Sequence, residues 1–482
     1  MLFNSIPFLI FFPLAVLLYF LIPQRFRAVF LLAVNLLFYA SQDGSVMLCL
    51  CFSILCTWTT GAIIYRSSPE KSKFLLFFFV FLNLLPLIVL KYANFTLQLF
   101  HSEKTLQLLL PAGISFYTLQ ALTYVAGCYR KEIVPEKNLL RYAVFVSFFP
   151  CILSGPIERA ERILPQVEGS SHGFDAIRVK EGLLMMLWGY FIKLVIVSRL
   201  SILTDLVYEK YEELPAGAIA IGVFFYAFQI YGDFAGYSSI AIGAARILGY
   251  EVKANFRQPY LSRSVAEFWR RWHISLSSWF RDYMYIPLGG SRCGRGRHFL
   301  NLMIIFTVSG LWHGADLTFL LWGFLYGCYQ IIGILLRPAR ERLERIFAAG
   351  DPGKAGKHWI YNGSRVLITF VIVSLTWIPF RSTSLSQAYG VFTGLFRGNP
   401  LSALADGTVF SLGLGSRNLL FAVLAMLLLI FVDLLCEKKK CDITGLLVRT
   451  NGFLRWSFYY ILLIAIIFSA NLSTQEFLYQ SF

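Results

Sequence analysis

The chain has 482 residues, of which 57% are hydrophobic and only 15% charged, and its mean hydropathy is +0.63. An ordinary soluble domain carries about 25% charged residues, so this composition excludes a soluble globular protein and points to the bilayer. The formal net charge of +16 would suggest nucleic acid in a soluble chain. Here the basic residues gather in a few loops between apolar runs, as orientation signals and anionic headgroups require, and nucleic-acid binding is set aside.

The first run, "MLFNSIPFLIFFPLAVLLYFLIPQRFR", has its basic residues after the apolar stretch and no small-residue cleavage site, so it reads as a retained helix, not a signal peptide. Apolar runs then recur along the chain and predict crossings near 8–22, 28–40, 46–65, 74–92, 106–127, 183–200, 217–245, 299–312, 317–336, 359–379, 418–436 and 454–472. With the N-terminus outside, "RFR" (25–27), "YRSSPEKSK" (65–73), "YRKEIVPEKNLLR" (129–141), the arginine-rich 246–298, "RPARERLERIF" (337–347) and "CEKKKCDITGLLVR" (436–449) all fall inside. The opposite side receives "SQDGS" (41–45), "HSEKT" (101–105), the acidic "YEKYEELP" (208–215) and the loop 380–417. The run 142–156 is too poor in apolar residues to cross and ends in Gly155-Pro156. It is expected to be re-entrant or in-plane, with irregular backbone that lines a cavity or is buried in protein. Segments 299–312 and 317–336 meet at "LWHGADLTF" (311–319), which suggests a break within the membrane profile. The expectation is an all-α polytopic membrane protein of about 11–12 transmembrane helices plus re-entrant and in-plane helices, forming one domain over 1–482.

Of six histidines, His101, His172, His298 and His358 lie in polar or basic loops, where a solvated side chain is the simpler reading. His273 and His313 fall within or near the bilayer core, where an ionisable group is costly and marks a functional candidate. At helical spacing, Trp269, His273, Leu276 and Phe280 form one stripe of a single amphipathic helix, with Arg270, Ser277 and Arg281 opposite. Tryptophan and arginine at the headgroup level explain most of that composition without chemistry. The helix runs into "IPLGGSRCGRGR" (286–297), whose backbone N–H groups and cations suit a phosphate. The nine cysteines show no metal-ligand spacing, and no metal is expected. Nucleotide-binding loops, nucleophile elbows and zinc-protease motifs are missing. What remains is histidine as general acid or base, which suits moving an acyl group from a thiol to a hydroxyl.

Two runs carry a resemblance: "FQIYGDFAGYSSIAIGAARILGYEVKANFRQPYLSRSVAEFWRRWHISLSSWFRDYMYIPLGG" (228–290) and "SGLWHGADLTFLLWGFLYG" (309–327). They resemble the membrane-bound O-acyltransferase (MBOAT) family, and more narrowly its bacterial branch that O-acetylates exported polysaccharides such as alginate, cellulose or peptidoglycan. "LPAGISFYTLQALTYVAGCYR" (110–130), "FFPCILSGPIERAERILPQ" (148–166) and "EFLYQSF" (476–482) extend it, with a motif core of about 110–330. The resemblance implies a ring of tilted helices around a central tunnel, with His313 as the catalytic histidine and His273 at the second position, histidine or asparagine in the family. Trp312, Asp316, Arg270, Arg281, Asn255, Gly289, Gly290 and Arg292 are the expected contacts of the donor or substrate, and Asp316 is a candidate to orient His313. "MYIPLGG" favours acetyl over D-alanyl transfer, while Tyr326-Gly327 stands where a second His-Gly pair often occurs, a departure that bears on the acceptor. The resemblance further implies no bound cofactor, a thioester donor (acetyl-coenzyme A or an acyl carrier protein) and an exported polysaccharide acceptor. Transfer ends either on the glycan itself or on a partner acetyltransferase outside the membrane, the lack of a soluble extracytoplasmic domain favouring the partner, and the resemblance also implies a bacterial inner-membrane location. The alternatives are D-alanyl transfer to teichoic acid, or a transporter or flippase, against which the lack of a visible inverted repeat counts.

Overall fold

The computed structural model describes residues 1–41, 44–101, 104, 106–169, 173–347, 355–399, 403 and 407–469. The terminal run 476–482 and His172 lie outside the described residues, as does the side chain of His358. Among the described residues every regular element is helical. Eight helices among the described residues are long and apolar enough to cross a membrane: Met47–Arg66, Pro69–Leu99, Ala176–Glu209, Ala216–Leu248, Leu317–Leu335, Trp359–Arg381, Gly415–Lys439 and Gly452–Ser469. The protein is an all-α, multi-pass membrane protein. Four of the twelve crossings expected from hydropathy are helical but fall short of that standard. Ile6–Leu21, Arg27–Ala40 and Ile114–Tyr129 run 14 to 16 residues, about 21–24 Å against a hydrocarbon core of about 30 Å. Arg295–His313 begins with two arginines and a histidine.

The contacts group the chain into two compact units. The first comprises Met1–Tyr190 and Gly236–Ala254. It contains α1 (Ile6–Leu21), α2 (Arg27–Ala40), α3 (Met47–Arg66), α4 (Pro69–Leu99), α5 (Ile114–Tyr129), α6 (Leu139–Ser147), α7 (Phe149–Ile152), α8 (Ala160–Glu168) and α9 (Ala176–Tyr190). The run expected to be re-entrant is α6, α7 and the irregular stretch that follows, and residues 142–160 are buried throughout. Irregular backbone in an apolar surrounding needs a partner for each polar group. Side chains of α2 and α5 supply them: Asn35 Oδ1 accepts from Phe149 N–H at 3.1 Å, Gln120 donates to the Phe145 carbonyl at 2.6 Å and accepts from Glu158 N–H at 3.3 Å, and Thr123 Oγ1 accepts from Ala160 N–H at 3.2 Å. The run is thus embedded in protein. Gly155 is required there, since a Cβ would stand 2.5 Å from the Pro150 carbonyl oxygen.

The second unit comprises Phe191–Ala235 and Asn255–Ser469. A π-helical turn, Phe191–Val197, leads into α10 (Ser198–Glu209), and α11 (Ala216–Leu248) gives this unit its residues up to Ala235. Lys193 of the π turn and Asp233 of α11 form an ion pair with side chains only 4% and 1% exposed. Then follow α12 (Val265–Arg271), α13 (Ile274–Phe280), a π turn Arg281–Tyr285, α14 (Arg295–His313), α15 (Leu317–Leu335), α16 (Arg337–Phe347), α17 (Ala355–Arg381), α18 (Leu385–Gly394), α19 (Gly415–Lys439), α20 (Ile443–Val448) and α21 (Gly452–Ser469).

α14 and α15 form a tight hairpin. α15 carries Gly323 and Gly327, and α14 carries Gly310 with Gly314 as its C-cap, the Gly-x-x-x-Gly spacing that lets membrane helices approach closely. A Cβ on Gly310 would lie 2.3 Å from the Phe319 carbonyl oxygen, and one on Gly323 would lie 2.3 Å from that of Phe306. His313 ends α14 inside this close contact.

Candidate active site

The stretch 267–285 is not the single amphipathic helix that its periodicity suggests. α12 ends at Arg271, and His273 is the N-cap of α13 with φ +43° and ψ 54°, a left-handed conformation uncommon for a residue with a Cβ. The predicted stripe is nonetheless buried: Trp269, His273, Leu276 and Phe280 are all at most 8% exposed. Such strain, typically about 1–3 kcal/mol, persists only where the surroundings over-determine it. Here Asn255 does so. Its backbone carbonyl accepts from Ile274 N–H at 2.9 Å, and its Oδ1 meets Ser275 N–H at 3.3 Å, Ser275 Oγ at 3.0 Å and His273 Nδ1 at 3.1 Å.

That arrangement assigns the protons. A backbone N–H can only donate, so the Asn255 atom facing Ser275 N is the carbonyl oxygen, and the same oxygen faces His273 Nδ1. Nδ1 therefore carries the proton, and Nε2 keeps the lone pair. Complete burial pushes the His273 pKa down to about 3, which keeps the imidazole neutral at physiological pH.

His313 is 3% exposed, and its ring centroid lies 6.4 Å from that of His273. Aromatic rings surround the pair: Phe234 at 4.5 Å and Trp312 at 6.0 Å from His273, Trp322 at 5.0 Å and Phe380 at 5.4 Å from His313. Two buried imidazoles, that of His273 neutral, in an aromatic box have the chemistry to pass a proton with bulk water held off.

The other expected residues divide. Trp312 belongs to the box, and Asn255 turns its carboxamide oxygen to the His273 corner. Asp316 does not share a helix with His313: α14 has ended, and Asp316 caps α15, accepting from Thr318 N–H at 2.9 Å. Gly289 and Gly290 do not offer free N–H groups to a phosphate, because these bond back to the Ile286 and Tyr285 carbonyls at 3.0 and 2.9 Å and cap the preceding turn. Their φ angles of +106° and +56° explain the glycines. Buried Asn301 of α14 donates to the Leu288 carbonyl at 3.1 Å and the Gly290 carbonyl at 3.3 Å, pinning the loop. Arg292 is exposed on that loop. Arg270 and Arg281, both exposed, border a cleft of about 410 Å³ whose otherwise largely apolar walls include Ile274, Leu276, Ile305 and Phe306. Arg281 also pairs with Asp282 at 2.8 Å. Tyr326 is fully buried 4.9 Å from Trp269, with Gly327 packed on Met303.

Sequence reasoning missed the paired Gly-x-x-x-Gly spacings, which were legible, and Phe234 and Phe380, for which no local signal exists.

The model of the MBOAT, membrane-bound O-acyltransferase family, matches residues 36–344. The chain is 33% identical over 414 residues to a probable alginate O-acetylase, AlgI, of Pseudomonas syringae pv. tomato, covering 82% of this chain and 75% of that protein. It is 31% identical to a peptidoglycan O-acetyltransferase of Helicobacter pylori, covering 83% and 81%. A teichoic acid D-alanyltransferase of Streptococcus thermophilus is 28% identical, covering 71% and 83%.

Proposed function

The chain belongs to the membrane-bound O-acyltransferase family and is an O-acyltransferase, and on that premise we propose that it moves an acetyl group from a cytoplasmic thioester toward hydroxyls of a polysaccharide outside the inner membrane of a bacterium. The observation that carries the reading is the pair of buried imidazoles 6.4 Å apart. His313 accepts the proton of the acceptor hydroxyl as its oxygen attacks the thioester carbonyl. The carbon–sulfur bond breaks, an ester forms, and the proton passes to the departing thiolate, so one thiol is released for each ester made. His273, its Nδ1–H tied to Asn255, turns Nε2 to the reaction as the assisting base.

Two features support the finer assignments. The cleft beside α13 joins apolar walls to Arg270 and Arg281, a fit for the acyl arm and phosphate of a thioester carrier such as acetyl-coenzyme A or an acyl carrier protein. Similarity to the two O-acetyltransferases exceeds that to the D-alanyltransferase, which favours acetyl. The last transfer to the polymer is made by a separate extracytoplasmic acetyltransferase.

The test is thiol release from radiolabelled acetyl-coenzyme A by the protein in nanodiscs, wild type beside His313→Ala. Release that disappears in a folded variant supports the reading. Equal release from both removes His313 from the chemistry.

A further inference from the structure

The His273 corner has a second support, on a helix beyond the stretch matched by the family. Arg271 lies two residues before His273. Its carbonyl accepts from Arg257 N–H at 2.9 Å, and its guanidinium bridges two carboxylates. Nη2 donates to Glu267 at 2.7 Å and to Glu437 Oε1 at 2.9 Å, while Nη1 donates to Glu437 Oε2 at 2.7 Å. The Glu437 contact is a two-pronged fork, which fixes direction as well as distance. One helical turn earlier on α19, Asp433 Oδ2 accepts from Tyr231 OH at 2.9 Å. The Tyr231 ring lies 6.1 Å from that of Trp272, and Trp272 also packs on Phe256 and Trp377, each at 5.0 Å. Asp433 and Glu437 are four residues apart and share one face of α19. They therefore grip the corner at two points, Arg271 directly and Trp272 through Tyr231.

We propose that α19 positions the catalytic corner: Glu437, acting through the Arg271 fork, sets where the His273 imidazole stands, and Asp433, acting through Tyr231, seats Trp272 behind it. Glu437 and Asp433 are positioning residues with no place in the chemistry itself. The proposal rests on the proposed function only for its kinetic consequence; the placement of His273 can be read without turnover. A corner that carries a left-handed non-glycine residue relaxes when a restraint is lost, and a shift of about 1 Å at a reacting group can lower a rate by about a hundredfold. Loss of one of several restraints should cost about tenfold.

The full chain in nanodiscs tests this with Glu437→Ala and the isosteric Glu437→Gln. The Glu437 side chain is 38% exposed, so neither substitution opens a buried cavity. The first readout is modification of His273 by diethylpyrocarbonate, followed by mass spectrometry, with His313 as the internal reference. The expected result is about tenfold faster modification of His273 with His313 unchanged, the signature of a local opening. The second readout is thiol release from acetyl-coenzyme A, where kcat should fall about tenfold and KM stay within about twofold. Unchanged protection of His273, equal deprotection of both histidines, or loss of folded protein in both variants would overturn the proposal. Wild type that releases no thiol would count against the proposed function, while the protection of His273 would still decide the role of Glu437.

Discussion

Substituting Asn255 by leucine tests the proton assignment at the site. The change keeps the branching at Cγ, with two bulkier methyls in place of the amide, at a position with no exposure, and it removes the oxygen that faces three donors. The Ser275 hydroxyl can rotate to another acceptor, but Ser275 N–H and His273 Nδ1–H lose theirs. Each buried donor left unsatisfied costs about 1–3 kcal/mol, so the corner should lose about 2–6 kcal/mol. His273 has one escape, which is to move its proton from Nδ1 to Nε2. That relieves half the cost and removes the lone pair from the reacting side. If the hydrogen bond to Asn255 is worth about 1.4 kcal/mol in tautomer preference, the active form drops about tenfold and turnover with it. Asn255→Asp keeps an acceptor at the same place and should hold the tautomer. Thiol release measured for both variants, alongside thermal melts, separates the effects. Leucine should be about tenfold slower than aspartate at equal folded fraction. Equal turnover in the leucine variant and wild type would refute the assignment of Nδ1 as donor.

Three more expectations bear on the scaffold. Gly323→Ala places a Cβ 2.3 Å from the Phe306 carbonyl oxygen and must push α15 off α14; a loss of about 1–3 kcal/mol in stability and a fall in turnover are expected, read by thermal melt and thiol release. Asp233→Asn removes the carboxylate that faces buried Lys193 and should cost about 3–5 kcal/mol, whereas pairing it with Lys193→Met should recover most of the melting temperature; an unchanged melt in the single variant would refute the argument. Glu158, 1% exposed, has its carboxyl pKa raised by burial, against the pull of Lys253 N–H and of Arg162. A raised folded pKa means folding favours the neutral acid, so the stability it contributes is lost as pH climbs through that value. Glu158→Gln keeps the acceptor for Lys253 N–H without the charge and should melt above wild type at pH 8, with the gap closing toward pH 5; a gap that widens at low pH would reverse the sign.

Membrane residence, helical class and the burial of the two histidines were legible because hydropathy, charge bias and residue type are properties of short windows. Sums over about twenty residues decide whether a helix can cross, and no distant partner alters them. The buried faces of Trp269, His273, Leu276 and Phe280 were legible for the same reason. Their continuity in one helix was not: the break at His273 is imposed by Asn255, eighteen residues earlier in the chain. Gly289, Gly290 and Asp316 looked like ligand-binding groups in the chain, but folding committed their N–H and carboxylate groups to turns and caps. The grip of Glu437 on Arg271 joins residues 166 positions apart and has no local signature. Sequence pattern determines which side chains leave water, because transfer free energy is additive along the chain. Which buried donor meets which buried acceptor is decided only in three dimensions, because a hydrogen bond requires two specific atoms within about 3 Å, and it is those pairings that set how the His273 imidazole stands.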